Sequence, residues 1–483
     1  MPLAVSKLVS ARVSKGQFKS ADRMLKGSLL FACIVGGGAC FLVLGFANVL
    51  AGDWMLEPMS TLALQVLAPT LLIVAIMGVY RGYFQGLGTM MPTAFSQILE
   101  QIVLVIVSLT AASIMYGYGE KIAALLQNDQ YAPAYGAAGG TLGCGVGALA
   151  ALLFLLFVYQ AHRRGFKKQL KKDTSRNLES YQYTFKILIL TIVPVVLSTT
   201  VYHISGILEQ YIYAHVMVSK GLEDAKTAIW GIYTGKYKVL INVPIALANA
   251  MSASVVPTLT AAMAREDYRR AKEKIAMVIR VTMIVTIPCA VGLAVLGNPI
   301  LDMLFSGDTK LAAQLLQVGT ISVVFFALST LTNGILQGIN RMKIPVRNAL
   351  IALACHLVSL YVMMQYMDLG IYAVVYANII FALVMCLLNA AALRKYMKYS
   401  QEWFKTFLMP TVASAIMGVI IFLLYKAFVS LLGNVAATLI SVVIGAVVYF
   451  ILLIVLKGIS EHELAEIPGG RLLVKVAKLI RIM

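Results

Sequence analysis

Apolar residues in this chain come in long uninterrupted runs, twelve of them, each roughly 20 to 30 residues, from near residue 25 to near residue 456. A helix rises about 1.5 Å per residue, so each run can cross about 30 Å of hydrocarbon. Twelve spans of about 25 residues use about 300 positions, and what remains is connection rather than a soluble domain. Composition agrees: 60% of the 483 residues are hydrophobic and 13% are charged, with a mean hydropathy of +0.85. The pattern predicts an all-α, polytopic transmembrane helix bundle. Its spans fall at approximately 25 to 50, 60 to 80, 96 to 117, 137 to 160, 183 to 213, 236 to 262, 275 to 297, 312 to 339, 346 to 366, 371 to 393, 406 to 428 and 434 to 456. A large extramembranous catalytic domain is excluded.

The net charge of +19 would suit a nucleic-acid binder, but its placement decides otherwise. Of the 40 Lys and Arg, 33 fall on one set of alternate loops and 7 on the other. That asymmetry is the positive-inside bias and makes the basic side cytoplasmic. Both ends of the chain are then expected in the cytoplasm. No nucleic-acid partner is expected; the basic runs read first as solvated loop ends, with contact to anionic membrane lipids as the further reading. The stretch 458–483 alternates apolar residues with Lys475, Lys478 and Arg481 and reads as an interfacial amphipathic helix. The six cysteines lie in apolar spans without CxxC spacing, so they read as packing residues, with no metal site and no cofactor expected. The opening Met1 to Lys7 has no basic region followed by an apolar core, so insertion is expected to rely on the spans themselves.

An internal repeat carries the domain layout. Arg81-Gly82-Tyr-Phe-Gln85-Gly86 and the following residues to Pro92 match Asn333-Gly334-Ile-Leu-Gln337-Gly338 through Pro345, and the segment after Leu8 resembles the one after Leu259. Two similar bundles in the same orientation follow, an arrangement that in transporters places the substrate between the halves. The expected layout is an N-lobe at 1–160, a basic cytoplasmic linker at 161–180, a C-lobe at 181–395, a terminal helix pair at 396–457 and the cytoplasmic tail at 458–483. Residue 1 aligns with about residue 251, inside the sixth span, whereas the second half begins near 183. The first helix and most of the second are therefore expected to be missing from an otherwise six-plus-six-plus-two plan.

The string Tyr80-Arg-Gly-Tyr-Phe-Gln-Gly-Leu-Gly-Thr-Met-Met-Pro-Thr-Ala-Phe-Ser-Gln-Ile-Leu-Glu100-Gln101, with Pro2-Leu-Ala-Val-Ser-Lys-Leu-Val and Ile241-Asn-Val-Pro-Ile-Ala-Leu-Ala, resembles the SpoVB/MurJ-like polysaccharide exporters of the MATE-like (MOP) superfamily. The resemblance runs from Pro2 to about residue 457. It implies a two-lobed fold of fourteen helices that exposes a central cavity alternately to each side. It further implies an undecaprenyl-pyrophosphate-linked sugar as substrate, lipid II or another cell-envelope intermediate. It would place the protein in the bacterial cytoplasmic membrane, with cell-envelope synthesis proteins as candidate partners.

An ionisable residue inside a span costs about 2.5 to 3.5 kcal/mol on insertion scales, so each one calls for a reason. Glu209, with Thr199, Tyr202, Gly206 and Tyr213, forms a polar stripe on the fifth span; Lys238, Asn242, Asn249 and Ser252 form another on the sixth. Lys236 lies about 200° around the helix from Lys238, so the two are not expected to face one cavity. The functional reading lines a cavity with these stripes. The lysines attract pyrophosphate there, and Glu209 balances their charge or couples to a monovalent cation. The plainer reading is interhelical packing with the lysines at the interface. Arg81 is a candidate phosphate ligand or an interfacial anchor. Glu100 has the apolar Ala352 as its repeat partner, so the shared fold does not require its charge. Gln85, Gln337, Asn333 and Asn340 read as cross-links of the bundle, and His203 and His356 as packing residues.

No nucleotide-binding or metalloenzyme motif appears, and no enzyme is expected. The sequence thus points to a flippase that moves a lipid-linked oligosaccharide by alternating access. The alternative is a cation-coupled exporter of small molecules, of the MATE multidrug type, on the same fold.

Overall fold

The computed structural model describes residues 2–13, 16–172 and 180–456. The tail expected at 458–483, the basic side chains between 164 and 179, and the side chains of Thr199, Tyr202, Pro194 and Pro257 lie outside the described residues. Among those described there is helix and no strand.

The helices are α1 (Pro2–Val13), α2 (Phe18–Asn48), α3 (Thr61–Gly86), α4 (Met91–Leu126), α5 (Tyr131–Lys172), α6 (Tyr181–Ser219), α7 (Glu223–Ile232), α8 (Lys238–Ala264), α9 (Tyr268–Leu304), α10 (Lys310–Gly319), α11 (Ile321–Gly338), α12 (Lys343–Gln365), α13 (Ile371–Met397) and α14 (Met409–Val455). Ten helices among the described residues are long and apolar enough to cross a membrane. Two facts relate this to the twelve expected spans. The run Phe404–Val455 counts once, although Gly433 at φ 75° breaks α14 into two helices. The expected span at 183 to 213 falls in α6, where several side chains are outside the description.

The chain divides into two compact units, Met1–Thr200 and Val201–Met483, with the boundary inside α6. Each unit shows the sequence repeat as a helix pair closed over glycines. In the first, α1 lies along the end of α3. A Cβ on Gly82 would stand 2.5 Å from the Pro2 carbonyl oxygen, and one on Gly86 would stand 2.7 Å from Val9 Cβ. In the second, α8 lies along the end of α11. A Cβ on Gly334 would collide with the Ser252 hydroxyl, and one on Gly338 would stand 3.1 Å from Leu259 Cβ. Pro2 and Ser252, like Val9 and Leu259, are 250 residues apart. With no hydrophobic force between helices in lipid, such close backbone approach is a main source of their association.

In the first unit α4 and α5 form a long hairpin zipped by Gly139, Gly143 and Gly147. The last meets the Glu100 carbonyl at 2.8 Å from its would-be Cβ, and Ser108 Oγ donates to the Gly140 carbonyl at 2.8 Å. The outer face of α4 presents Ile98, Ile102, Val105, Ile106, Leu109 and Ile114, all exposed, as a lipid-facing surface requires. In the second unit the two halves of α14 pack on α9 around Ile284, Leu296, Ala413, Met417, Ile421, Tyr449 and Leu453. Pro288 has no N–H to offer the carbonyl one turn back, and Tyr449 supplies the missing donor, its hydroxyl bonding Ile284 O at 2.7 Å. The same pairing is secured nearer the helix end by Asn434 Nδ2, which donates to Pro299 O at 3.1 Å.

Candidate functional site

Among the described residues, the charged candidates inside the spans lie in two clusters, one in each unit. In the second unit, Glu209 on α6 is 1% exposed, and every direction around its carboxylate is taken. Oε1 accepts from the Tyr233 hydroxyl at 3.0 Å and from Lys238 Nζ at 3.2 Å. Oε2 accepts from Asn378 Nδ2 at 2.8 Å and faces His356 Nε2 at 3.5 Å. These partners come from the turn after α7, from the start of α8, from α13 and from α12. Four elements therefore converge on one buried anion, as a charge removed from water requires.

Local structure explains the convergence. Tyr233–Tyr237 forms a single π-helical turn between α7 and α8, an irregularity that recurs at functional sites. It carries Lys236 and Lys238 away from each other. Lys236 Nζ donates to the carbonyls of Ser306 at 3.2 Å and Asp308 at 2.8 Å, clasping the loop between α9 and α10. Lys238 turns the other way, over the Tyr233 ring at 4.8 Å from its centroid, towards Glu209. The lysine side chain is 34% exposed while the Glu209 side chain is 2% exposed, so the reachable charge of the pair is the positive one.

The remaining stripe residues part company. Asn242 and Asn249 are exposed on α8, within about 40° of Lys238 around the helix. Ser252 instead turns to α11 and donates to Thr330 O at 3.3 Å. Tyr213 is buried, stacks on Trp230 at 4.8 Å and donates to the Lys226 carbonyl.

In the first unit, Arg81 at the end of α3 and Glu100 on α4 meet in an ion pair of 2.6 Å. Arg81 Nε also donates to the buried Ser96 hydroxyl at 2.9 Å. The two candidates singled out separately by sequence thus neutralise each other, with side chains 12% and 19% exposed. The repeat-related place in the second unit holds neutral amides. Asn348 Nδ2 donates to Asn389 Oδ1 at 2.9 Å, and Asn389 Nδ2 donates to Asn333 Oδ1 at 2.9 Å and Thr332 Oγ1 at 3.0 Å. Asn333, read from sequence as a cross-link, forms one there.

Sequence reasoning did not single out Asn378, and it did not foresee the second contact of His356. The histidine is 0% exposed and touches the Phe381 ring edge-on at 5.9 Å, as a packing residue would, yet it faces Glu209. Asn378 gave a signal that went unused: an amide in the middle of an apolar span also calls for a partner. Among the described residues no group of three or more His, Cys, Asp and Glu could hold a metal ion.

Two helical units built on one repeat, with buried charge inside them, define a membrane transporter fold, and solved structures place it. The chain superimposes on an inward-facing multidrug-resistance MATE family transporter of the MOP superfamily with TM-score 0.64 at 15% identity, covering 82% of this chain and 87% of that one. It superimposes on lipid II flippase MurJ in an inward closed conformation with TM-score 0.62 at 16% identity, covering 93% and 88%. In sequence it is 25% identical over 483 residues to stage V sporulation protein B of Bacillus subtilis (strain 168), covering 98% of this chain and 88% of the relative. Residues 24–444 match the family described as lipid II flippase MurJ, and the chain belongs to that family. It is accordingly a multi-pass protein of a bacterial membrane.

Proposed function

We propose that this protein flips an undecaprenyl-pyrophosphate-linked sugar of the lipid II class across the cytoplasmic membrane by alternating access. Its basic loops and both chain ends face the cytoplasm. Family membership over residues 24–444 sets the substrate class. The observation that carries the reading into the site is Lys238: its partner carboxylate is enclosed, so the group left open to a ligand is a cation, suited to a pyrophosphate. Asn242 and Asn249, exposed on the same side of α8, are placed to hydrogen-bond the phosphates or the sugar. In the other unit, Arg81 is a candidate phosphate contact in its own right, if it exchanges Glu100 for a ligand. Lys236, held by two carbonyls, acts at the mouth of the site rather than inside it.

The test is head-group translocation in proteoliposomes, using a fluorescent lipid II. The protein should flip it, and Lys238→Ala should slow flipping at least tenfold. Full-rate flipping by that variant would remove Lys238 from the route.

The second reading is a cation-coupled exporter of small molecules, favoured by one observation: a wholly buried carboxylate, Glu209, inside a fold shared with MATE transporters. Uptake of a cationic dye driven by an ion gradient, with no lipid II flipping, would select it.

A further inference from the structure

The Glu209 cluster holds one anion and two groups able to neutralise it, and the two approach different oxygens. Lys238 is on Oε1 at 3.2 Å and His356 is opposite Oε2 at 3.5 Å. They differ in what else they can do. Lys238 reaches the surface. His356 is sealed in, with Nε2 in long contact with Glu209 Oε2 at 3.5 Å and Nδ1 without a hydrogen-bond partner among the described residues. A buried imidazole nitrogen left in that state has lost its contact with water without replacement. While Lys238 neutralises Glu209, His356 has no charge to answer. Once Lys238 leaves, Glu209 is an uncompensated buried anion, the most unfavourable state the cluster can reach, and His356 is the group already in place to relieve it.

We infer that anion binding is coupled to proton uptake: Lys238 swings from Glu209 to the ligand's phosphates, and His356 takes up one proton and replaces the lysine as partner of Glu209. This rests on the reading that Lys238 meets the head group. The balance is simple. One N–H bond forms at His356, the proton comes from water, and the cluster keeps its net charge while the lysine's charge passes to the ligand. The groups facing His356 support the exchange. Among the described residues Glu209 from α6 is the charged group recorded against it and Phe381 from α13 is neutral; Asn378, Lys238 and Tyr233 are bonded to Glu209. Binding and protonation are linked reciprocally, so the anion binds more tightly as pH falls. The gain approaches tenfold per pH unit where His356 is neutral in the free protein and protonated in the complex.

The experiment uses the full chain in phosphatidylcholine nanodiscs with farnesyl pyrophosphate as the probe, near pH 7.5 in weak buffer with a pH indicator. Because the probe's own phosphates titrate in this range, wild type is compared with His356→Gln. The expected result is about one more proton taken up per bound probe in wild type, and a steeper fall of Kd with falling pH. Equal proton uptake by the two, with the probe bound to both, overturns the exchange and leaves the head-group reading standing. Probe binding by Lys238→Met as tight as by wild type overturns the head-group reading, and the exchange with it. A spectroscopic measurement covers the case in which His356→Gln does not fold. With ring-labelled histidine, the His356 signal should be that of imidazolium in probe-saturated wild type and in probe-free Lys238→Met. A neutral imidazole signal in both states overturns the exchange.

Discussion

The same architectural position is filled by an ion pair in one unit and by amides in the other. At the ends of α3 and α4 it is Arg81, Ser96 and Glu100; the corresponding ends of α11 and α12, with α13 beside them, hold Asn333, Asn348 and Asn389. Both sets tie helices together, and the neutral set does so in full burial without the desolvation that charges bring. A fold that can close this place with amides does not need Arg81 and Glu100 to stand. Charge retained at a replaceable position therefore points to work other than folding. Glu209 presents the opposite case, a charge enclosed by partners from four elements.

The largest effect separates these cases. Glu209→Ala leaves Lys238 and Tyr233 without the acceptor they share, and leaves Asn378 with Val374 O and the Tyr233 hydroxyl alone. The stranded lysine is 34% exposed, so the cost falls on the buried groups left unsatisfied, at about 1 to 3 kcal/mol each; thermal unfolding in nanodiscs should move down and flipping should cease. Asn389→Ala should come next. It strands the amide of Asn348 and its own former acceptors, at about 1 to 3 kcal/mol for a buried unsatisfied group. Flipping by the fraction that remains folded should stay near normal, because these amides touch no ligand.

A partial transplant is the sharpest comparison. Arg81→Asn, Ser96→Asn and Glu100→Ala together give α3 and α4 the residues of α11 and α12 at the matching positions, without the Asn389 that bridges them in the second unit. Stability should change by about 1 kcal/mol or less, since the lost pair is partly exposed, while flipping should drop severalfold. A transplant that flips at the normal rate would show that the charge at this place is structural after all. The smallest effect belongs to Lys236→Ala, which removes two hydrogen bonds at an exposed loop. It should cost under about 1 kcal/mol and change flipping less than twofold.

Much of this organisation could be read from the sequence because its causes are local. Span length follows from the run of apolar residues, and the repeat follows from Gly82, Gly86, Gly334 and Gly338, which recur because two helix pairs need the same close approach. The separation of Lys236 from Lys238 followed from helical angle alone. What the sequence could not supply was partnership between distant elements. Glu209 and Asn378 are 169 residues apart, and nothing near Arg81 says that Glu100 will neutralise it. His356 shows the limit most plainly: a lone histidine on an apolar helix looks like packing until α6 brings a carboxylate to it. The break at Gly433, by contrast, was legible, since the spans expected at 406 to 428 and 434 to 456 part there.

The central claim is that an anionic head group is carried by a cation exposed beside a buried carboxylate. Its most direct test is the flipping rate in proteoliposomes for two lipids with the same tail and sugar, one joined by pyrophosphate and one by an uncharged linker, in wild type and in Lys238→Gln. Wild type should flip the pyrophosphate lipid at least tenfold faster than the uncharged one, and Lys238→Gln should erase most of that preference. Equal rates for the two lipids in wild type, or a preference that survives intact in Lys238→Gln, would contradict the claim.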